Sequence, residues 1–183
     1  MAETLSEKNF RFIHEMTAEH RYQHHCMAYS YQDGPGLMRL AGTFEGDRVL
    51  ELGCALGYTA CCLAASAEGR RVDTIEGDSL HVQIARENIN QVGLGSRITV
   101  HHGDFGKVLP QLPGDYDIAF FDGLSPTPAM IMDLHRKLRP GGTLICANFD
   151  FAGSGCEKVL KDITLWTMVG QLEGGGTQIV RKA

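Results

Sequence analysis

A chain of 183 residues with 43% hydrophobic and 21% charged residues has the composition of an ordinary globular protein and the length of one domain. Its 17 basic against 22 acidic side chains leave a net charge of −5, which offers no electrostatic footprint for a nucleic acid. No apolar run approaches the ~20 residues of a membrane span, and the polar opening Met1–Lys8 carries no export signal, so a cytoplasmic protein without membrane contact is expected.

Residues 1–35 read as a helical N-terminal cap on a single domain of residues 1–183. The cap is dense in histidine, with His14, His20, His24 and His25. His20 and His24 stand four residues apart and share a helix face, which is metal-ligand spacing, but the sequence shows no third ligand beside them. A pocket base or plain packing histidines are the other readings of this cluster. The six cysteines, Cys26, Cys54, Cys61, Cys62, Cys146 and Cys156, have no C-x-x-C spacing and fall largely in apolar runs. They read as buried reduced thiols and not as a zinc site.

Asp33-Gly34-Pro35-Gly36 is expected to break the chain before a short apolar helix at Leu37–Ala41, and Gly46-Asp47 turns into the first strand. Val49-Leu50-Glu51-Leu52 then runs into Gly53-Cys54-Ala55-Leu56-Gly57-Tyr58 and the small-residue run Thr59–Ala65, a strand, tight loop and helix. Glycines at such a turn let backbone approach a ligand, and the helix start favours an anionic group. The loop is G-x-x-x-G, with Ala55 where a dinucleotide fingerprint has its middle glycine, and alone it is a weak signal. Glu51 discriminates: at the mouth of the site its carboxylate repels a pyrophosphate and attracts an ammonium or sulfonium, unless it is only a solvated strand-end residue.

Arg71–Glu76 alternates like a half-buried strand and delivers Glu76 about 20 residues beyond Gly53, where an acid meets ribose hydroxyls. The bland reading of Glu76-Gly77-Asp78 is a polar turn. Ser79 opens a helix with Leu80, Ile84, Ala85, Ile89 and Val92 on its apolar face, ended by Gly93. Arg97–His102 reads as a third strand followed by Gly103-Asp104-Phe105, where Asp104 is placed to accept from an exocyclic amine. Asp115–Asp122 is nearly continuous apolar sequence, the mark of a central parallel strand, and brings Asp122 to the same rim as Glu51 and Glu76. A helix opened by Pro126 and Pro128 follows, then the turn Arg139–Gly142, a fifth strand Thr143–Ala147, and two strand-like runs around Glu173–Gly176 that form an antiparallel hairpin at the sheet edge.

Together these marks resemble the class I S-adenosylmethionine-dependent methyltransferases. Those that match are Glu51-Leu-Gly53-x-x-x-Gly57, Glu76, Gly103-Asp104, Phe120-Phe121-Asp122 and Leu138-Arg-Pro-Gly-Gly142, over most of residues 36–148. The run Leu52–Thr59 and Ile84-Ala-Arg-Glu-Asn88 are most similar to the catechol O-methyltransferase type. The resemblance implies a doubly wound, mostly parallel seven-stranded Rossmann-like α/β sheet with an antiparallel C-terminal hairpin, and S-adenosylmethionine as cofactor. It puts Glu51 and Asp122 near the cofactor's amino group, Gly53 and Thr59 near its carboxylate, Glu76 on its ribose, and Asp104 with the Phe105 N–H at its adenine. Ala55, Gly57, Gly77 and Gly103 complete that set.

That family typically holds a divalent metal with the strand-four Asp and an Asp-Asn pair after strand five, and here the pair reads Ala147-Asn148. Losing a carboxylate from a hard-cation site removes a ligand and a compensating charge, so the metal is left unassigned among Asp122, Asn148 and Asp150. The lysine that often follows the strand-four Asp is also missing, because the chain continues Gly123-Leu124-Ser125. The expected function is therefore methyl transfer to a small-molecule acceptor, at oxygen first, without a tightly bound metal, with Asp122 and His24 as the catalytic candidates. A cofactor-binding protein of the same fold without activity, an RNA methyltransferase and a nucleotide-dependent oxidoreductase stay as alternatives, and a homodimer stays open.

Overall fold

The computed structural model describes residues 5–183; Met1–Thr4, which begin the polar opening and the cap, lie outside the described residues. Seven strands, β1 (Arg48–Leu52), β2 (Arg71–Glu76), β3 (Ile98–His102), β4 (Tyr116–Phe121), β5 (Leu138–Cys146), β6 (Trp166–Leu172) and β7 (Thr177–Lys182), form one sheet in the order β3-β2-β1-β4-β5-β7-β6. The first five pair in parallel. β7 pairs antiparallel with β5 on one side and with β6 on the other. The hairpin at Glu173–Gly176 thus joins the sheet through its second strand.

Seven helices, α1 (Arg11–His24), α2 (Gly34–Gly42), α3 (Tyr58–Ala65), α4 (Ser79–Gln91), α5 (Phe105–Val108), α6 (Pro128–Lys137) and α7 (Ser154–Leu160), cover the two faces. Strand side chains alternate, so Val49 enters the apolar layer under α1–α4, while Leu50 and Leu52 enter the layer under α5–α7. β4 is buried on both faces, as its apolar run requires. α3 is apolar all round and every residue from Tyr58 to Ala64 is buried. No helix among the described residues is long and apolar enough to cross a membrane.

Four boundaries differ from the sequence reading. Asp33 accepts the Gly36 N–H and caps α2, so Gly34 and Pro35 form its first turn instead of a break. Arg139–Gly142 lies inside β5 as an irregularity, since Tyr116 pairs with Leu138 and Ile118 already with Thr143. On α4 the inward face is His81, Val82, Ala85, Asn88 and Ile89, and Leu80 points outward, because steps of three and four back from Ala85 reach Val82 and His81. The cap is helical only to His24: His25 takes a left-handed conformation (φ 51°), and residues 26–33 run without regular structure to α2.

Candidate active site

At β1 and β4 the strand order turns back, with β2 and β3 on one side and β5, β7 and β6 on the other. Helices leave this point toward opposite faces, and the crevice between them is where open α/β sheets take ligands. A cavity of roughly 510 Å³ lies there. Its inner wall is made by the strand ends: Gly53 and Ala55 after β1, Glu76 ending β2, Asp122 and Gly123 after β4, and Ala147 and Asn148 after β5. The outer wall comes from Met27, Tyr29, Ser30, Tyr31 and Gln32 of the segment after α1, with Phe105, Leu124, Phe151 and Glu173.

The loop after β1 is a backbone cradle. Gly53 has φ +99°, and a Cβ there would stand 2.7 Å from the Asp122 carbonyl oxygen, so only glycine lets the ends of β1 and β4 approach this closely. Ala55 also has positive φ (44°), a conformation that costs an L-residue about 1 kcal/mol. Glu76 holds it, because its Oε2 accepts the Ala55 N–H at 2.8 Å while Oε1 accepts the Asp78 N–H at 2.9 Å. A carboxylate carries roughly four lone-pair sites, so Glu76 keeps acceptor capacity toward the cavity.

Asp122 is pushed up to about 7, first by burial and then by the charge of Glu173, against a hydrogen bond from Asn148. The Asn148 Nδ2 donates to Asp122 Oδ1 at 3.2 Å and to the Gly123 carbonyl at 2.6 Å. Those bonds fix the amide with its N–H groups against the carboxylate. Asp150 lies beside Gly176 and does not line the cavity. A hard divalent cation needs converging oxygens, and here the strand-four Asp faces an amide nitrogen; the residues do not fit a family-type metal.

Glu51 corrects the sequence reading most. It does not stand at the mouth of the site: it is 0% exposed, and neither carboxylate oxygen has a hydrogen-bond partner among the described residues. Alternation along β1 turns it to the side of Val49, under the helices and beneath the cradle. Burial pushes its carboxyl up to about 8, the charges of Asp122 and Glu76 push the same way, and the Thr74 hydroxyl opposes. At neutral pH Glu51 is therefore mostly protonated, and the open-rim attraction expected of it is absent until something positive settles nearby.

Of the other candidates, Gly53, Ala55, Glu76, Phe105 and Asp122 share the cavity wall, and Gly57, Thr59, Gly77, Gly103 and Asp104 do not reach it. Gly57 is the N-cap of α3 with φ +99°, and Thr59 is buried in the first turn of that helix. The Asp104 side chain accepts the Gly106 N–H at 2.9 Å and so caps α5, which competes with the adenine role. His24 is exposed, outside the cavity, and stacked on His20 at 4.3 Å between ring centroids, a position that gives a base role no support. The segment Met27–Gln32 was not legible as a wall, since it has no hydrophobic period; Tyr31, packed edge-on to Phe120 at 5.7 Å, is its anchor.

Comparison with known proteins places this fold in a family. A family model described as a methyltransferase domain matches residues 50–149. A catechol O-methyltransferase from Niastella koreensis is 32% identical over 128 residues, covering 67% of this chain and 58% of that protein. A catechol O-methyltransferase from Mycobacterium tuberculosis is 31% identical over 131 residues, covering 70% and 60%. The chain thus spans less than two thirds of the length of these curated relatives. The structure of an O-methyltransferase from Bacillus cereus in complex with SAH superposes with a TM-score of 0.80 at 20% identity, covering 100% of this chain and 93% of that one, a likeness of fold.

Proposed function

Because the chain belongs to the methyltransferase-domain family, we propose that it transfers the methyl group of S-adenosylmethionine to a hydroxyl of a small, partly apolar acceptor. The observation that carries this is the cavity at the β1/β4 switch point, where Glu76, Asp122 and the Gly53–Ala55 backbone meet. The cofactor supplies an electrophilic methyl on a sulfonium that leaves as a neutral thioether. Glu76 holds the ribose hydroxyls with its remaining lone pairs, and the N–H groups at the cradle and the start of α3 hold the carboxylate. Buried Glu51 behind the cradle and Asp122 beside it supply negative charge for the cationic end, with Glu51 giving up its proton as that charge arrives.

Catalysis in this reading is chiefly alignment, which contributes about 7–11 kcal/mol when the reacting atoms are held in line. Asp122 takes the acceptor's proton: it faces the cavity, and its pKa of about 7 suits a general base at neutral pH. No step passes through a metal, in keeping with the Asn148 amide set against Asp122. Met27, Tyr29, Leu124 and Phe151 are 55–73% exposed and still line the cavity, an apolar rim suited to an aromatic acceptor.

The test is a methyl-transfer assay by mass spectrometry over catechols, phenols and aliphatic alcohols, in EDTA. Cofactor-dependent methylation of a phenolic acceptor supports the reading. Saturable cofactor binding with no product across the panel assigns the chain to the non-catalytic alternative, and methylation of RNA alone overturns the small-molecule assignment.

A further inference from the structure

A second constellation lies outside the cavity, on the face where the cap meets α4. Among the described residues, His20, Cys26 and His81 are the one group of at least three His, Cys, Asp or Glu side chains whose ligand atoms converge, all within 4.8 Å of one another. The sequence pairing of His20 with His24 pointed to the wrong neighbour: the partners come from the stretch after α1 and from the first turn of α4. The left-handed turn at His25 folds the chain back and brings Cys26 beside His20. Asp78 caps α4 by accepting the Leu80 and His81 N–H groups and so fixes where His81 starts.

Two further observations point to a ligand. The His20 ring is 8% exposed, and its Nε2 is buried without a hydrogen-bond partner, a state in which a polar atom costs about 1–3 kcal/mol. The Nδ1 of His81 lies 3.7 Å from Glu76 Oε1, a carboxylate near enough to favour a proton on that nitrogen and to leave Nε2 for a metal. Cys26 is also the one cysteine of the six that is not buried, and its thiol is free.

From this convergence we infer that His20, Cys26 and His81 form a binding site for a borderline-soft divalent metal of the zinc class, with water in the fourth position. Two imidazoles and a thiolate are zinc or cobalt ligands and poor ones for magnesium or calcium. Bonds of about 2.0 Å to nitrogen and 2.3 Å to sulfur require the ligand atoms to draw in by about 1 Å, within the reach of side-chain rotation at half-exposed Cys26. Binding displaces the Cys26 thiol proton to solvent and leaves both imidazoles neutral. The ion clips the end of α1 to α4 immediately before Met27, where the outer wall of the cavity begins. Its three ligands are not among the residues of the methyl-transfer reading, and the two sites meet only at Glu76, which faces His81.

The experiment is a Co²⁺ titration of the full, metal-stripped chain under reducing conditions, read by thiolate-to-cobalt charge-transfer absorption. One equivalent should develop the band, and Zn²⁺ should bleach it. Cys26→Ser should abolish the band with circular dichroism unchanged, and His81→Ala should weaken Co²⁺ binding about tenfold or more. His24→Ala, which removes only the ring stacked on His20, should leave it. No band in the wild-type chain, or a band that survives Cys26→Ser, overturns the site. Zn²⁺ should also raise the melting temperature of the wild type and not of Cys26→Ser; an equal rise in both contradicts the clip.

Discussion

On its inner side the cavity is walled by strand ends and backbone that the sheet holds in place; on its outer side it is walled by exposed side chains carried on connecting segments. At Gly53 the ends of β1 and β4 come so close that a Cβ has no room, whereas Tyr29 and Phe151 stand largely in solvent. The difference separates two jobs. In the proposed function the cofactor is met by parts that cannot be varied without moving the sheet, and the acceptor by parts that change at little cost to the fold.

The largest effect should come from breaking the inner wall. Gly53→Val forces a β-branched residue to φ +99° with its Cβ 2.7 Å from a carbonyl oxygen, and it should destabilise the chain by more than about 3 kcal/mol and abolish S-adenosylhomocysteine binding. Thermal melts and calorimetry on the same sample check both. Asp122→Asn should lower kcat about 100-fold and also weaken S-adenosylmethionine binding, since it withdraws charge from beside the cationic end. In the wild type kcat should rise as pH passes upward through about 7, where Asp122 loses its proton, and the variant should lose that limb.

Glu51→Gln sharpens the comparison from beneath the wall. The folded-state pKa of Glu51, about 8, lies above the ordinary glutamate value of 4.5, so between those values the folded chain binds the extra proton and stability falls as pH rises. Removing the charge should stabilise the unliganded protein by about 4 kcal/mol at pH 8 and by less than about 0.5 kcal/mol at pH 4.5, measured by denaturant melts. The same variant should weaken S-adenosylmethionine binding, since it withdraws the charge that the cationic end calls up. On the outer wall, Tyr29→Ala and Phe151→Ala should each stay within about 0.5 kcal/mol of wild-type stability and raise the acceptor KM roughly three- to tenfold, with cofactor affinity unchanged.

These regions also differ in what the sequence disclosed. Glu76 and Asp122 were placed by local signals, an acid ending an alternating strand and an acid ending an apolar one, and both line the cavity. Glu51 was located on the correct strand but not at its depth, because alternation tells which face a residue takes and not what covers that face. Residues 26–33 gave no period to read; Cys26 meets His20 through the left-handed turn at His25, and His81 meets it only where the end of α1 approaches the start of α4. The hairpin of β6 and β7 was legible from its glycine loop, while the insertion of β7 beside β5 was a matter of tertiary pairing. Short-range chemistry fixes the inner wall; long-range packing fixes the rest.

The central claim is that the inner wall binds the adenosyl cofactor through Glu76. Calorimetric titration of the intact chain with S-adenosylhomocysteine, beside Glu76→Ala, tests it most directly. One ligand per chain at roughly micromolar affinity, weakened tenfold or more in the variant, is the predicted result. No heat at millimolar ligand, or equal affinity in the two proteins, would contradict it.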